Sequence, residues 1–446
     1  MKKSLIALAA LAATSAFAQS SVTLYGRAEA GVDLGYSVKT TGTTSGFSVV
    51  GGVVAPGAFS SVAGSSNEKP GFRVQDGQDQ GQGSSRFGFR GTEDLGGGLK
   101  ANFVMEAGVS LDDGVPGRSG GNLFGRAAWV GLSGGFGEVR LGRQVLGSFG
   151  VHANGLSGGA ASGLYEVGAN IVQGGVRFSN AIQYRSPDFG GISGTISLRA
   201  PEGQTSSTAI AGANPDTTDT KVKSGVDLSI AYANGPIYVG FGYNRTGQST
   251  TFNNNEVSPA NISNGTDSKV TDYAISASYN LGVAQPFFSY VNRKNVSSTG
   301  TVAGVNFTNG SLAALAGSQN AQGSGALGAA GANAKTRQYA FGVKVPLGAA
   351  TLLASFANAK TTGSGSASNQ TGVTTANEVE AKTRAFQIGA QYPLSKRTML
   401  QANYGINNTK TATATVTPTG VNSFSVVGTT GEVKVRALNF GVQHVF

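Results

Sequence analysis

The chain has 446 residues, 69 of them glycine, no cysteine, and a formal net charge of +10. Charged residues make up 13%, about half of the roughly 25% usual in a soluble domain, while hydrophobic residues reach only 39%. That balance excludes a disulfide framework and thiolate metal sites and supports neither a soluble core nor helical spans. After Gln19 no run approaches the roughly 18 consecutive apolar residues of a transmembrane helix. A membrane reading therefore requires a barrel, held by a closed hydrogen-bond ladder with no exposed edge.

At the amino end, Lys2 and Lys3 form a basic region and Leu5 to Leu11 a short apolar one, and Ala16-Phe17-Ala18 supplies a small-residue cleavage site. Residues 1–18 are expected to be a cleaved signal peptide and 19–446 a single exported domain. Removing Lys2 and Lys3 takes the formal charge from +10 to +8.

The first predicted strand runs from Ser21 to Tyr36. Val22, Leu24, Gly26, Ala28, Ala30, Val32 and Leu34 alternate with Thr23, Tyr25, Arg27, Glu29, Gly31 and Asp33, so one face meets lipid and the charged face a wet lumen. Phe87 and Phe89 alternate with Arg86, Gly88 and Arg90. The turn Leu95-Gly96-Gly97-Gly98 follows, and beyond it Phe103 and Met105 alternate with Asn102 and Glu106. Paired runs follow: Asn122 to Ser133 with Phe136 to Val145, Val176 to Pro187 with Gly190 to Pro201, and Ser224 to Asn234 with Pro236 to Thr246. Lys269 to Leu281 pairs with Val283 to Val296, Lys335 to Leu347 with Ala349 to Thr361, and Ala381 to Leu394 with Lys396 to Thr409. The last strand is Leu438 to Phe446, with Leu438, Phe440, Val442, His444 and Phe446 on one face. The expectation is an all-β transmembrane antiparallel barrel of about sixteen strands, with short periplasmic turns and long external loops. One such loop, Ser297 to Ala334, contains no charged residue.

Catalysis finds little support. Two histidines, His152 in a loop and His444 on the lipid parity of the last strand, do not make a nucleophile, base and acid set, and no metal site or cofactor is expected. The runs Gly96-Gly97-Gly98 and Gly134-Gly135 lack the strand-to-helix context and lysine of phosphate loops and read as turns. Trp129 and the tyrosines read as interfacial girdle residues. Basic residues are scattered along strands, which argues against nucleic acid as a partner.

Six blocks carry a resemblance: Ser20 to Gly26 (SSVTLYG), Ser84 to Phe103 (SSRFGFRGTEDLGGGLKANF), Trp129 to Gln144 (WVGLSGGFGEVRLGRQ), Ser179 to Gly191 (SNAIQYRSPDFGG), Tyr392 to Leu400 (YPLSKRTML) and the terminal GVQHVF. In that order over the mature length, they resemble the general porins of beta-proteobacterial outer membranes. The resemblance implies a homotrimer of sixteen-stranded barrels whose third external loop, here Gly147 to Gly175, folds into the lumen. In that loop only His152 and Glu166 can carry charge. It further implies that Arg86, Arg126 and Arg177 stand where anion-selective members gather arginines at the narrowest point, with Glu106 beside them. Strand parity independently turns Arg86 and Arg177 to the lumen, whereas Arg126 rests on the resemblance. Arg27, Arg90, Arg140 and Arg143 are second candidates for the pore lining. The terminal strand resembles the signal read by the outer-membrane assembly machinery.

The function this implies is passive diffusion of small anionic or neutral solutes across the outer membrane, with anion preference from the arginines. An inward arginine can equally be solvated or paired with a wall carboxylate, and basic loops can bind the phosphates of lipopolysaccharide among the surrounding lipid. The alternative reading is a barrel acting mainly as an adhesin or surface receptor through its external loops.

Overall fold

The computed structural model describes residues 21–50, 53–54, 60–68, 71–76, 85–115, 123–157, 176–208, 216–254, 262–299, 333–368, 374–420 and 423–446. The expected signal peptide, Glu166 and most of the Ser297 to Ala334 loop lie outside these residues.

Sixteen strands form the wall: β1 (Ser21–Val50), β2 (Arg86–Gly96), β3 (Leu99–Gly108), β4 (Ala127–Gly134), β5 (Gly137–Val145) and β6 (Arg177–Arg185). They continue as β7 (Ile192–Arg199), β8 (Gly225–Asn234), β9 (Ile237–Asn254), β10 (Ile262–Tyr279) and β11 (Gln285–Thr299). The last five are β12 (Asn333–Leu347), β13 (Ala350–Ser368), β14 (Thr374–Pro393), β15 (Thr398–Gly420) and β16 (Ser423–Val445). Each pairs antiparallel with the next, and β1 pairs with β2 on one side and with β16 on the other, from Arg27 opposite Val445 to Val49 opposite Phe424. The sheet is thereby closed, and no edge strand needs covering. Shorter strands extend the external side, Ser60–Glu68 and Phe72–Asp76 against β1 and Glu202–Thr208 against Asp216–Val222. Among the described residues no helix is long and apolar enough to cross a membrane.

The turns within pairs are tight, as expected. Gly96, Gly97 and Gly98 all take positive φ, at 85°, 60° and 81°, a region costly for any residue with a Cβ. The wall is inverted relative to a soluble core. Val130, Leu198 and Phe341 lie exposed on the outer face, whereas Asp33, Gln183, Ser197 and Asn439 are fully buried inside. Interior polar groups satisfy one another across the closing seam, where Asn439 donates to Asp33 Oδ1 at 2.9 Å and Gln401 to Glu29 Oε1 at 2.7 Å.

Several details differ from the sequence expectation. The final strand begins at Ser423 rather than Leu438, β15 runs to Gly420 rather than Thr409, and β1 continues to Val50 past a register shift between Leu34 and Ser37. Their outer halves are rich in threonine, whose β-branched side chain suits a strand but leaves no apolar alternation to read. Trp129 is not a girdle residue. It sits on the parity opposite exposed Val130, beneath the Arg140 guanidinium, which lies 4.0 Å from the ring centroid. Strict alternation from lumen-facing Arg177 puts Phe178 on the lipid side, yet it is 1% exposed and packs inside with Leu146 and Ala181. Asn180, with φ of 49°, interrupts the alternation of β6 at this point.

Phe446 ends the ladder with two backbone bonds to Gly26, of 3.0 and 3.1 Å, each worth about 1 kcal/mol. Deleting Phe446 should therefore lower both the yield of barrel in the outer membrane and the temperature at which it loses its compact, heat-modifiable gel mobility. Unchanged yield and mobility would contradict a closing role for this residue.

Candidate functional site

The inner faces of β1 to β6 concentrate arginine. Period-two alternation turns Arg27, Arg86 and Arg90 inward beside Tyr25, and the outward positions between them are apolar. Glu106 on β3 is the hub. Its Oε1 accepts from Arg126 Nε at 2.6 Å, and its Oε2 accepts from the Tyr25 hydroxyl at 3.0 Å and lies 3.9 Å from Arg86 Nε. Arg177 donates from Nε to the Arg126 carbonyl at 2.7 Å. Arg143 donates to the Gly125 carbonyl at 2.6 Å and to Ser179 Oγ at 2.7 Å. Arg86 and Arg126 thus flank a single carboxylate, Arg177 joins them through the Arg126 carbonyl, and Arg143 extends the cluster through Ser179. Backbone carbonyls orient two of these guanidiniums without cancelling their charge.

The remaining candidates are engaged separately. Arg27 pairs with Glu29, Arg140 with Glu138 Oε2 at 2.5 Å, and Arg90 lies 5.2 Å from the Tyr25 ring centroid. His444 points outward on β16 and shares a 2.9 Å contact with Thr398 Oγ1. No group of histidine and carboxylate side chains suited to a metal ion occurs among the described residues.

Facing the interior, the segment after β5 forms α1 (Gly147–Ser157), which has no acidic residue in its first turn and no basic residue in its last. It lies against inward-facing positions of the opposite wall. Asp227 on β8 caps its start, with Oδ1 accepting from the Gly147 and Ser148 amides at 2.9 and 3.3 Å and Oδ2 from the Ser148 hydroxyl. Ser276 donates to the Val151 carbonyl at 2.7 Å, and Asn154 to the Tyr238 hydroxyl at 3.2 Å. The helix approaches β9 closely because Gly240 and Gly242 line it: a Cβ on Gly242 would stand 2.6 Å from Ser148 Cα. Asp227 and these glycines were absent from the sequence reading. A lone aspartate amid the apolar alternation of Val226 to Tyr232 was the available signal.

His152 differs from its expected role as a charge carrier. It is 5% exposed, turned from the lumen towards the wall, with Nδ1 3.3 Å from Ser289 Oγ and Nε2 buried without a hydrogen-bond partner among the described residues. Burial pushes its pKa down to about 4, so the ring is neutral near pH 7.

The Gram-negative porin family profile matches residues 4–412. The chain belongs to that family. This porin is 34% identical over 293 residues to outer membrane porin protein 32 of Delftia acidovorans, a match covering 64% of the chain and 68% of the relative. It is also 34% identical over 198 residues to the major outer membrane protein P.IB of Neisseria gonorrhoeae, covering 44% and 47% of the two chains. A loop-deletion mutant of OmpT from Vibrio cholerae superposes with a TM-score of 0.50 at 12% identity, over 96% of this chain and 99% of the other, a likeness of fold. The porin is accordingly a non-catalytic outer-membrane channel for passive diffusion of solutes.

The buried His152 makes the docking of α1 sensitive to acid. Its pKa in the docked helix lies below the ordinary value of 6.5, so docking is fully stable above about pH 6.5 and is progressively lost as the pH falls towards 4. Brief current closures in planar bilayers should become more frequent over that window, and His152→Gln should flatten the dependence. Identical closure rates at pH 7 and pH 4 would contradict it.

Proposed function

We propose that this porin is an anion-preferring channel working as a homotrimer, with the Arg86, Arg126 and Arg177 cluster and α1 forming opposite sides of its constriction. The observation that carries the reading is the imbalance at Glu106, whose one carboxylate is shared by Arg126 and Arg86 while Arg177 is held beside them by the Arg126 carbonyl, together with a helix on the opposite wall that presents no charged residue. Guanidiniums stay ionised throughout the physiological range. In a narrow aqueous passage with low-dielectric walls, their field concentrates anions and raises their entry rate while leaving neutral solutes free to pass. Its reach is about one Debye length, roughly 8 Å at physiological salt, so selectivity arises where the passage is narrow.

The trimer reading rests on the family and on the outer surface. Strands β2 to β8 have 8 to 11 residues, whereas β9 to β16 have 15 to 23. The short strands expose Val130, Leu141 and Ile182 outward. A low apolar wall suits contact with further copies of the chain.

A potassium chloride gradient across a planar bilayer should give a reversal potential reporting chloride preference, stronger at low salt. Replacing Arg86, Arg126 and Arg177 together by Gln removes three positive charges and keeps polarity, so the preference should collapse towards neutrality or reverse through Glu106. Cation preference in the wild type, or an unchanged reversal potential in the triple variant, would overturn the mechanism. Absence of conductance would favour the receptor reading.

A further inference from the structure

The sole tryptophan of the chain stands on the inner face of the barrel, below the arginine cluster. Arg90 on β2, Val104 on β3 and Trp129 on β4 lie directly opposite one another on that face. Glu106 is two residues further along β3, so this row sits about 7 Å to the periplasmic side of the cluster at about 3.4 Å per residue. Small and polar groups surround it, with Gly88 and Ala127 flanking Glu106 above and Thr92, Asn102 and Gly131 forming the row below. A half-buried indole is an exception on this polar wall, and the neighbouring residues support it. Arg140 comes from the row below and lays its guanidinium 4.0 Å from the ring centroid, where Glu138 Oε2 holds it at 2.5 Å. Gly131 leaves room for this path, since a Cβ there would stand 3.2 Å from Arg140 Cγ.

The two ends of the row differ in charge. Glu138 neutralises Arg140, so guanidinium and indole together make a flat stack with no net charge. Arg90 is exposed and rests against an aromatic ring, 5.2 Å from the Tyr25 centroid, rather than on a carboxylate. A guanidinium stacked on a ring face keeps its N–H edges available, and those edges match a carboxylate with two parallel hydrogen bonds. The ends are two strand spacings apart, about 10 Å, and the aliphatic side chain of Val104 is the floor between them. A cation, an apolar floor and a flat stack in one line complement a planar ring that carries one carboxylate. An inorganic anion would use Arg90 alone, and a saturated acid would bring no π face to the stack.

We propose that Arg90, Val104 and the stack of Trp129 and Arg140 form a weak binding station for aromatic carboxylates on the periplasmic side of the constriction. The carboxylate binds at Arg90, and the ring lies over Val104 against the stack. Aromatic contact and a charge-assisted hydrogen bond each favour such a solute by about fivefold over one that lacks the corresponding group. Binding of that strength delays a solute without stopping its passage. The station uses none of Arg86, Arg126 and Arg177, so it stands apart from the selectivity reading.

Because Trp129 is the only indole, its fluorescence reports this one place in the full protein folded in detergent. Titration with 4-nitrobenzoate, whose ring quenches indole emission, should give saturable quenching about fivefold tighter than 4-nitrobenzamide, which has the same ring without the charge. Benzoate should displace the probe about fivefold better than cyclohexanecarboxylate, which has the same charge without the π face. Quenching that does not saturate, or equal affinity for the nitro acid and its amide, would overturn the station in the wild type whether or not any variant folds. Equal displacement by the two acids would overturn the aromatic assignment. Arg90→Gln, with its fold checked by heat-modifiable gel mobility, should bind the nitro acid no better than the amide, and an unchanged preference would overturn the role of Arg90. In the triple variant Arg86→Gln, Arg126→Gln and Arg177→Gln the ratio between benzoate and cyclohexanecarboxylate should persist, since both carry one charge. Loss of that ratio would place binding in the constriction and overturn the separate station, whatever the reversal potential of that variant shows.

Discussion

Closure of the backbone ladder is the constraint on which the structure depends. With β1 paired to β16 over more than twenty positions, no strand can slip by one residue without turning every side chain to the other medium. Register therefore decides which residues meet lipid and which meet water. The seam is additionally specified from inside, where Asp33 with Asn439 and Glu29 with Gln401 would lose buried hydrogen bonds on a shift. Lipid, offering no hydrogen bonds, enforces the same outcome from outside.

That constraint explains how charge is distributed. On the early strands arginines point inward and their outward neighbours are apolar. On the later, longer strands most basic residues point outward, while Lys344 takes the inward parity and inward Arg293 is paired to Asp272. Two basic populations with separate surroundings result from one period-two rule applied to strands of unequal length. The +10 net charge of the chain says little about either. The guanidiniums around Glu106 are placed by β1 to β6 and the uncharged α1 is docked by Asp227 on β8, so the two are set by different strands, and changing either leaves the other in place.

Much of the fold was legible because the alternation is strict where lipid enforces it. The Ser21 to Leu34 pattern, the glycine turn at 96–98 and the aromatic alternation of the final strand translate directly into register. What escaped notice lies where lipid does not reach. The threonine-rich outer halves of β15 and β16 stand above the membrane, and their pairing leaves no apolar signature. At β6 the positive φ of Asn180 breaks parity, so Phe178 turns inward against a simple alternation. Trp129 joins Arg140 for a reason that appears only when β4 and β5 are in register. Within the site, parity alone was enough to face Arg86 inward, but the contact of Arg126 with Glu106 bridges residues twenty apart on either side of a loop. The burial of His152 depends on which side of α1 meets the wall, a matter of packing that a lone histidine in a loop does not disclose.

The central claim is a positive local potential beside the arginine cluster, and the cysteine-free chain allows it to be measured at one atom. Ser179 accepts from Arg143, next to Arg177, so Ser179→Cys places the sole thiol of the protein within the field. Its rates of modification by a sulfonate-bearing and a trimethylammonium-bearing methanethiosulfonate, each normalised to a free thiol in solution, compare anion with cation access directly. The account predicts a normalised ratio favouring the sulfonate by several-fold at low salt and approaching unity at high salt. A ratio favouring the ammonium reagent, or one indifferent to salt, would contradict it.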